Sequence, residues 1–236
     1  MNVTYNCWHG CHKKSEGCKN CYVYRRDVSI GKDANIVTKT TSFNMPIRKD
    51  RNGNYKYPSG TYFDMCFSSD FFIEEADVWR KDVLEMIKQR SDCVFMCITK
   101  RPERILDCSE NIDIYDNLAI YCTMENQKRF DERAPIYLNL PIKHKGIMVE
   151  PMLERIDMSK YLSTNCVDII SCGGESGPNA RTIDFAWVKD LYKQTKEKGI
   201  EFYFHQTGAN IIVNEKLYHI ERKYQHSQAK KAMKYF

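Results

Sequence analysis

Short apolar runs alternate with helix-like segments along most of this chain, and this alternation limits its fold more than any other feature. Seven runs predict β-strands, at residues 3–6, 62–67, 94–99, 118–123, 146–150, 167–172 and 201–205. Most are nearly continuous apolar stretches, which is typical of strands covered on both faces. Five segments predict helices, at residues 74–89, 101–107, 127–139, 152–162 and 185–198. The sequence therefore predicts an α/β fold with a parallel sheet, as a partial or full parallel β/α barrel or, alternatively, a doubly wound sheet.

Two segments depart from this rhythm. Residues 31–60 are polar and carry turn signals such as Arg51-Asn-Gly-Asn54, which predicts an inserted excursion or hairpin. Residues 211–236 predict a basic C-terminal helical tail. Its cations are Lys216, Arg222, Lys223, Lys230, Lys231 and Lys234. We therefore expect a barrel-like domain over residues 1–210, followed by the tail over 211–236.

Polar residues follow nearly every predicted strand. In β/α folds the carboxyl ends of parallel strands build the active site, so a run of such endings indicates one functional face. The ligand-binding candidates at these ends are Ser69, Asp70, Lys100, Glu125, Glu150, Gly173, Gly174, Glu175, Ser176 and Gln206. Taken singly, each is equally well an ordinary loop residue.

Two of these endings have a specific chemistry. The turn Gly173-Gly-Glu-Ser-Gly177 can bring backbone N–H groups close to a carboxylate or phosphate, or can use glycine only for a tight turn. Lys100, Arg101 and Arg104 gather positive charge at a strand end, which suits an anionic ligand or, alternatively, a solvated helical turn. Four further cysteines lie near the ends of predicted strands, at Cys66, Cys97, Cys122 and Cys172. They are interpreted as small residues that line the barrel or, alternatively, as donors of a hydrogen atom to a substrate radical.

Three cysteines near the N-terminus have the spacing C-x6-C-x2-C, at Cys11, Cys18 and Cys21. Three thiolates can hold a four-iron cluster and leave one iron open to a substrate or cofactor. A closed zinc site is the alternative, with Cys7 as a fourth ligand and His9 and His12 nearby. Residue chemistry alone leaves iron–sulfur and zinc open, but it disfavours clustering of these thiols for packing only.

Composition places the protein in a broad class. The 236 residues can bury a substantial core, and eleven cysteines without a secretory pattern predict reduced thiols in a cytoplasmic protein. No run approaches the roughly 20 apolar residues of a membrane span, so we expect no membrane association. The net charge of +5 is compatible with a polyanionic partner or with an excess of surface lysine.

Ordered motifs over residues 5–210 resemble one family. The motifs are Asn6-x3-Gly-Cys11-x3-Ser-x-Gly-Cys18-x2-Cys-Tyr22, Ser69-Asp-Phe-Phe72, Thr99-Lys-Arg-Pro-Glu-Arg104, Glu150-Pro-Met-Leu153, Gly173-Gly-Glu-Ser-Gly-Pro178 and Phe202-x2-His-Gln206-x-Gly208. The chain in this respect resembles the phage-associated three-Cys-motif proteins, a family of unassigned function that is distantly related to radical S-adenosylmethionine enzymes such as spore photoproduct lyase.

The resemblance implies a cofactor set and a ligand set. It implies a [4Fe–4S] cluster held by Cys11, Cys18 and Cys21, with Cys7 outside the ligand set. It also implies S-adenosyl-L-methionine, bound among the ten strand-end candidates, and an electron donor such as flavodoxin or ferredoxin. The chain departs from the usual superfamily pattern in two places. The first cysteine spacing is longer than the superfamily's usual C-x3-C-x2-C, and Gly173-Gly-Glu175 follows a late strand where an early one is usual.

From these features we expect a radical S-adenosylmethionine enzyme that generates a 5′-deoxyadenosyl radical and modifies or repairs a nucleic acid or nucleotide. The alternatives are a zinc-stabilised nucleic-acid-binding protein without redox chemistry, radical modification of a peptide, and a degenerate barrel that keeps the cluster for sensing or structure. Lysines and tyrosines interleave in the tail, which is a pattern of single-strand binders.

Overall fold

The structure, a computed structural model, describes residues 1–108 and 111–236. The strands of these residues are β1 (Asn2–Tyr5), β2 (Trp8–His9), β3 (Thr38–Lys39), β4 (Tyr62–Met65), β5 (Val94–Thr99), β6 (Leu118–Thr123), β7 (His144–Val149), β8 (Ile169–Gly173), β9 (Ile183–Asp184), β10 (Glu201–Gln206), β11 (Asn210–Val213) and β12 (Lys216–His219). The α-helices are α1 (Tyr22–Ser29), α2 (Asp77–Gln89), α3 (Ile105–Cys108), α4 (Gln127–Tyr137), α5 (Phe185–Glu197) and α6 (Arg222–Ala232). Short 3-10 helices span Glu16–Cys18, Met45–Ile47, Glu74–Ala76, Pro102–Arg104, Ile112–Ile114 and Met233–Tyr235.

A seven-stranded sheet carries the fold, in the order β1-β4-β5-β6-β7-β8-β10. The pairs β1–β4, β4–β5, β7–β8 and β8–β10 are parallel. The order follows the chain without reversing, whereas a doubly wound sheet reverses at its switch point. The prediction of an α/β fold with a parallel sheet is therefore confirmed, and the sheet is consistent with a partial parallel barrel. No helix among the described residues is long and apolar enough to cross a membrane.

The chain divides into two compact units. The first comprises Met1–Lys13, Val23–Tyr121 and Leu140–His144, and the second comprises Lys14–Tyr22, Cys122–Asn139 and Lys145–Phe236. The first unit has an aromatic core, in which the rings of Phe63 and Phe95 stack at 4.9 Å. The second unit buries Val188 and Leu191 of α5 and stacks the ring of Phe236 on Tyr192 at 4.7 Å.

The predicted strands agree with the observed ones to within about two residues at either end, because continuous apolar runs mark buried strands well. One predicted helix is wrong, since residues 152–162 contain no helix. Their buried apolar residues have a helix-like spacing, but the backbone N–H groups of Met152 and Leu153 donate to the carbonyls of Gly173 and Glu125. The side chain of Gln194 also bonds backbone atoms of Ile156 and Met158.

The tail and the N-terminal region contain elements that the sequence pattern did not predict. Residues 211–236 were predicted to be helical, but 211–213 belong to β11, Lys216–His219 form β12, and the chain becomes helical only at α6. β12 pairs antiparallel with β11 in a three-stranded sheet of order β12-β11-β9. Helix α1 directly follows Cys21, where no helix was predicted. In the insertion, Asp50 donates its N–H to Asn54 at 2.8 Å across the predicted turn, and Lys49 and Tyr55 form an antiparallel bridge.

Candidate functional site

The three motif cysteines are partly exposed thiols that form no disulfide bond with any described residue. Cys11 belongs to the first unit, where its backbone N–H donates to the carbonyl of Ala34 at 2.7 Å. Cys18 and Cys21 belong to the second unit, and the N–H of Cys18 donates to the carbonyl of Ser15 at 2.9 Å. Among the described residues, no three His, Cys, Asp or Glu side chains converge as metal ligands. The ligand assignment therefore rests on the sequence motif and on the accessibility of these thiols.

Cys7 has a different environment. It is fully buried, and its Sγ lies 3.1 Å from Sγ of Cys66, at the ends of β1 and β4. Burial and the neighbouring Cys66 thiol raise the pKa of Cys7 well above its usual value. A metal ligand must give up its proton, so this environment opposes ligation by Cys7. Cys66, Cys97, Cys122 and Cys172 are also buried, which matches their interpretation as lining residues.

In the first unit, the carboxylate of Asp70 organises the ends of β4 and β5. It accepts hydrogen bonds from the hydroxyl of Thr99, the backbone N–H of Lys100 and the guanidinium of Arg101, at 2.8–2.9 Å. The Asp70 side chain is 6% exposed and that of Arg101 is 9% exposed. Asp70 therefore holds these strand ends in place.

Arg101 links this arrangement to the first motif cysteine. Its guanidinium donates to the carbonyl of His12 at 3.0 Å and interacts with the thiol of Cys11. Burial opposes the charge of Arg101, but Asp70 and Cys11 raise its pKa. A guanidinium beside a cysteine favours the thiolate, which is the form that binds metals. The hydroxyl of Ser69 donates to the carbonyl of Gly10, so this candidate also supports the cysteine segment.

Lys100 differs from its neighbours. Its backbone is fixed by Asp70, while its half-buried ammonium group makes no ion pair or hydrogen bond with any described residue. Of the three first-unit candidates, Lys100 is therefore the one whose charged group stays available to a ligand.

In the second unit, Glu125 lies at the end of β6 and is fully buried. Its carboxylate accepts from the hydroxyl of Ser15 and from the N–H of Gly17, at 3.0 Å for Gly17. The guanidinium of Arg133 on α4 donates to the other carboxylate oxygen at 2.8 Å. Glu125 thus holds the segment between Cys11 and Cys18, which is the segment that makes the first spacing longer than usual.

Two further arginines hold the same segment. Arg129 on α4 donates to both carboxylate oxygens of Glu16 at 2.8 Å, and this pairing lowers the pKa of Glu16 to about 2. Arg181 donates to the backbone carbonyl of Glu16 at 3.0 Å. Sequence reasoning missed Arg129, Arg133 and Arg181. For Arg133, the signal was its position eight residues after Glu125 on the inner face of a predicted helix.

Glu175 completes this support of the cysteine segment. Its carboxylate accepts from the amide of Asn20 at 2.9 Å and from the backbone and guanidinium of Arg181 at 2.6–2.9 Å. Burial alone would raise the pKa of Glu175, but these donors hold it below its usual range. Two of the four carboxylates predicted for cofactor binding, Glu125 and Glu175, therefore contact the chain between Ser15 and Asn20.

The paired glycines before Glu175 allow two backbone segments to meet. A Cβ on Gly174 would lie 2.4 Å from the carbonyl oxygen of Thr207, and one on Gly208 would lie 2.7 Å from the backbone of Gly174. The N–H of Gly174 donates to the carbonyl of Gln206 at 3.0 Å, so it already has a partner. The glycines therefore serve close packing of two backbone segments, which agrees with a structural use of glycine and not with an anion cradle. The helix that follows begins only at Phe185.

The remaining candidates gather at the ends of β7 and β10. The carboxylate of Glu150 pairs with Nδ1 of His205 at 2.8 Å and accepts from the amide of Gln206. A Cβ on Gly173 would meet this carboxylate at 2.8 Å. Ser176 lies in the turn beyond, where its hydroxyl accepts from the guanidinium of Arg222 on α6 at 3.5 Å.

No curated protein and no solved structure matches this chain. One family model does match, over residues 1–234, and its description is Protein of unknown function (DUF5131). Because the match spans nearly the whole chain, this chain belongs to the DUF5131 family.

Proposed function

We propose that this chain is an iron–sulfur enzyme of the radical S-adenosylmethionine type that acts on a nucleic acid or nucleotide. The observation that carries the proposal is the support given to the cysteine motif within each unit. Arg101 interacts with Cys11 in the first unit, and Glu125 and Glu175 hold residues 15–20 in the second. Membership of the DUF5131 family does not bear on the proposal, because that family is described only as of unknown function. The resemblance of the ordered motifs is separate support.

The donor set fits an iron–sulfur cluster. Cys11, Cys18 and Cys21 are partly exposed thiols, and three such ligands would hold a [4Fe–4S] cluster with one iron open. When bound, the cluster and S-adenosyl-L-methionine supply reductive cleavage of the sulfonium and a 5′-deoxyadenosyl radical.

The chain's own residues would bind the cofactor and orient the groups that contact it. Lys100 offers an ammonium group to an anionic ligand such as the cofactor's carboxylate. Asp70 fixes the backbone of Lys100 and the guanidinium of Arg101, and so positions both charges. The glutamates at 125 and 175 act through the segment that they hold, and are positioning residues. A small electron-transfer protein, flavodoxin or ferredoxin, would deliver the electron.

Anaerobic reconstitution tests this function. We expect about four irons and four sulfides per chain, a paramagnetic signal on reduction that changes with S-adenosyl-L-methionine, and 5′-deoxyadenosine on turnover. Stoichiometric zinc without iron would overturn the proposal in favour of the zinc-stabilised binding protein.

Cysteine variants provide the matched control. Cys7→Ala should keep its iron, because the thiol is buried against Cys66. Cys18→Ala should lose it, because Cys18 is a partly exposed motif cysteine. Loss of iron from Cys7→Ala with retention in Cys18→Ala would show that the ligand set is wrong.

A further inference from the structure

The net charge of the chain is concentrated at its C-terminal end. The last 23 residues contain six of the lysines and arginines, against two carboxylates at Glu215 and Glu221. This segment therefore contributes four of the five net positive charges of the chain. A surface with this bias attracts a polyanion.

The same segment presents tyrosines beside its cations. Tyr218 is 41% exposed, Tyr224 is 48% exposed and Tyr235 is 84% exposed. The Nζ atom of Lys216 lies 5.3 Å from the ring centre of Tyr218, and that of Lys223 lies 4.9 Å from the ring centre of Tyr224. Exposed rings with adjacent cations provide stacking for bases and charge for phosphates.

The strand that carries Tyr218 is open on its outer side. All four residues of β12 are exposed, and β12 is an edge of the three-stranded sheet, paired with β11. Two exposed acidic groups flank β12, Glu215 before it and Glu221 after it, and Glu221 pairs with Lys223 at 2.9 Å. The edge is therefore accessible, with its cations in the majority.

Helix α6 holds its cations on a fixed support. Gln225 and Ala229 are buried, and the carbonyl of Gln225 accepts from the N–H of Thr207 at 3.3 Å. Nδ1 of His226 lies 3.0 Å from the carbonyl of His205. The ring of Phe236 packs on Tyr192 and is therefore not among the exposed aromatic rings of this segment. Arg222, Lys223, Tyr224, Lys230 and Lys231 of α6 are exposed.

A cavity of about 250 Å³ connects this surface to the turn after β8. Its lining is Gly177, Pro178, Ala209, Asn210, His219, Ile220 and Glu221. Arg222 stands beside it and donates to Ser176, one of the strand-end candidates. A chain that lies along β12 and α6 thus passes next to the turn that carries Glu175 and Ser176.

We propose that β12, the turn that follows it and α6, together the basic tail surface, bind single-stranded nucleic acid. Single strands are favoured over duplexes because stacking on Tyr218 and Tyr224 requires unpaired base faces. The proposal concerns binding alone and does not depend on iron, although it names a substrate class for the proposed enzyme.

Fluorescence anisotropy with the full-length chain tests this directly. The probes are a labelled 20-nucleotide single strand of DNA, the same length of RNA and a hairpin duplex, each at several salt concentrations. We expect the single strands to bind more tightly than the duplex. The logarithm of the binding constant should fall with the logarithm of salt concentration by roughly 0.7 for each phosphate contact.

Surface variants show where the strand binds. Tyr218→Ala and Tyr224→Ala should each weaken binding about fivefold or more, while Tyr218→Phe and Tyr224→Phe keep the ring and retain binding. Lys230→Gln with Lys231→Gln should flatten the salt dependence. The matched control is Lys81→Gln with Lys88→Gln on α2, two exposed lysines outside the basic tail surface, which should leave binding unchanged. Thermal unfolding confirms that the variants are folded.

Three results would overturn the proposal. They are absence of single-strand binding, equal binding of the duplex with no effect of the tyrosine variants, and binding to anionic lipid vesicles in place of the oligonucleotides. If the reconstituted chain binds single strands but produces no 5′-deoxyadenosine, the proposed enzyme activity is wrong and the proposed binding surface still stands.

Discussion

The backbone N–H of Gly17 donates to the carboxylate of Glu125 at 3.0 Å, and the absence of a side chain at position 17 leaves room for this approach. A Cβ at position 17 would lie 2.9 Å from the same carboxylate oxygen. The residue immediately before Cys18 is therefore fitted to the end of β6. The cysteine segment is shaped by contacts with the sheet of its own unit as well as by its own turn.

Replacing Glu125 by glutamine should destabilise the protein by about 3 kcal/mol, because the buried guanidinium of Arg133 then lacks its counter-charge. The double variant Glu125→Gln with Arg133→Met should lose less than the sum of the two single changes. Urea unfolding measures both. Asp190→Asn is the control, since its partner Arg155 is 64% exposed and solvent screens such a pair, so we expect little loss of stability. Equal losses for Glu125→Gln and Asp190→Asn would contradict this assignment.

The two paired glycines should respond differently to alanine. Gly174→Ala should lower the free energy of unfolding by about 3 kcal/mol, because the new Cβ meets the backbone carbonyl of Thr207 at 2.4 Å. Gly173→Ala should cost about 1 kcal/mol, because its Cβ meets the side chains of Glu150 and Gln206, which can move. The urea midpoints of the two variants give the comparison, and a larger loss at Gly173 would refute the close-packing role of Gly174.

The stabilisation from Glu175 should depend on pH. Its pKa is depressed in the folded state, so its contribution is present above the unfolded pKa of about 4.3 and is lost as pH falls through the folded value. The difference in unfolding free energy between the wild-type chain and Glu175→Gln should therefore be largest near pH 7 and shrink below about pH 4. Glu197→Gln, at an exposed position on α5, should show little difference at either pH. A constant difference across this range would contradict the ion-pair explanation.

Variants of Lys100 and Asp70 should distinguish a role in ligand binding from a role in the stability of the fold. Lys100→Ala should weaken S-adenosyl-L-methionine binding several-fold in calorimetry of the reconstituted protein, and should change stability by less than about 0.5 kcal/mol. Asp70→Asn should lower stability by about 3 kcal/mol, because Arg101 loses a buried partner. If Lys100→Ala leaves the affinity unchanged, Lys100 is not a ligand-binding residue.

The sequence predicted the sheet because most of its strands are nearly continuous apolar runs, as at β5 and β6. It also placed Glu125 and Glu175 at strand ends. It could not show their partners, since the contacts of Glu175 with Asn20 and of Glu125 with Gly17 join residues 155 and 108 positions apart. The helix predicted at 152–162 was wrong for a related reason. The burial of its apolar residues is helix-like, but its backbone donors bond distant elements, which a local pattern does not reveal.

The contacts that hold residues 15–20 imply an order of maturation. Ser15, Gly17 and Asn20 bond residues more than 100 positions further along the chain, so this segment can settle only after much of the second unit has been synthesised and folded. Iron would then enter a prepared segment, in contrast to zinc fingers, whose folding requires their metal. If the proposed function is correct, protein produced under iron starvation should accumulate in a folded form and take up the proposed cluster later.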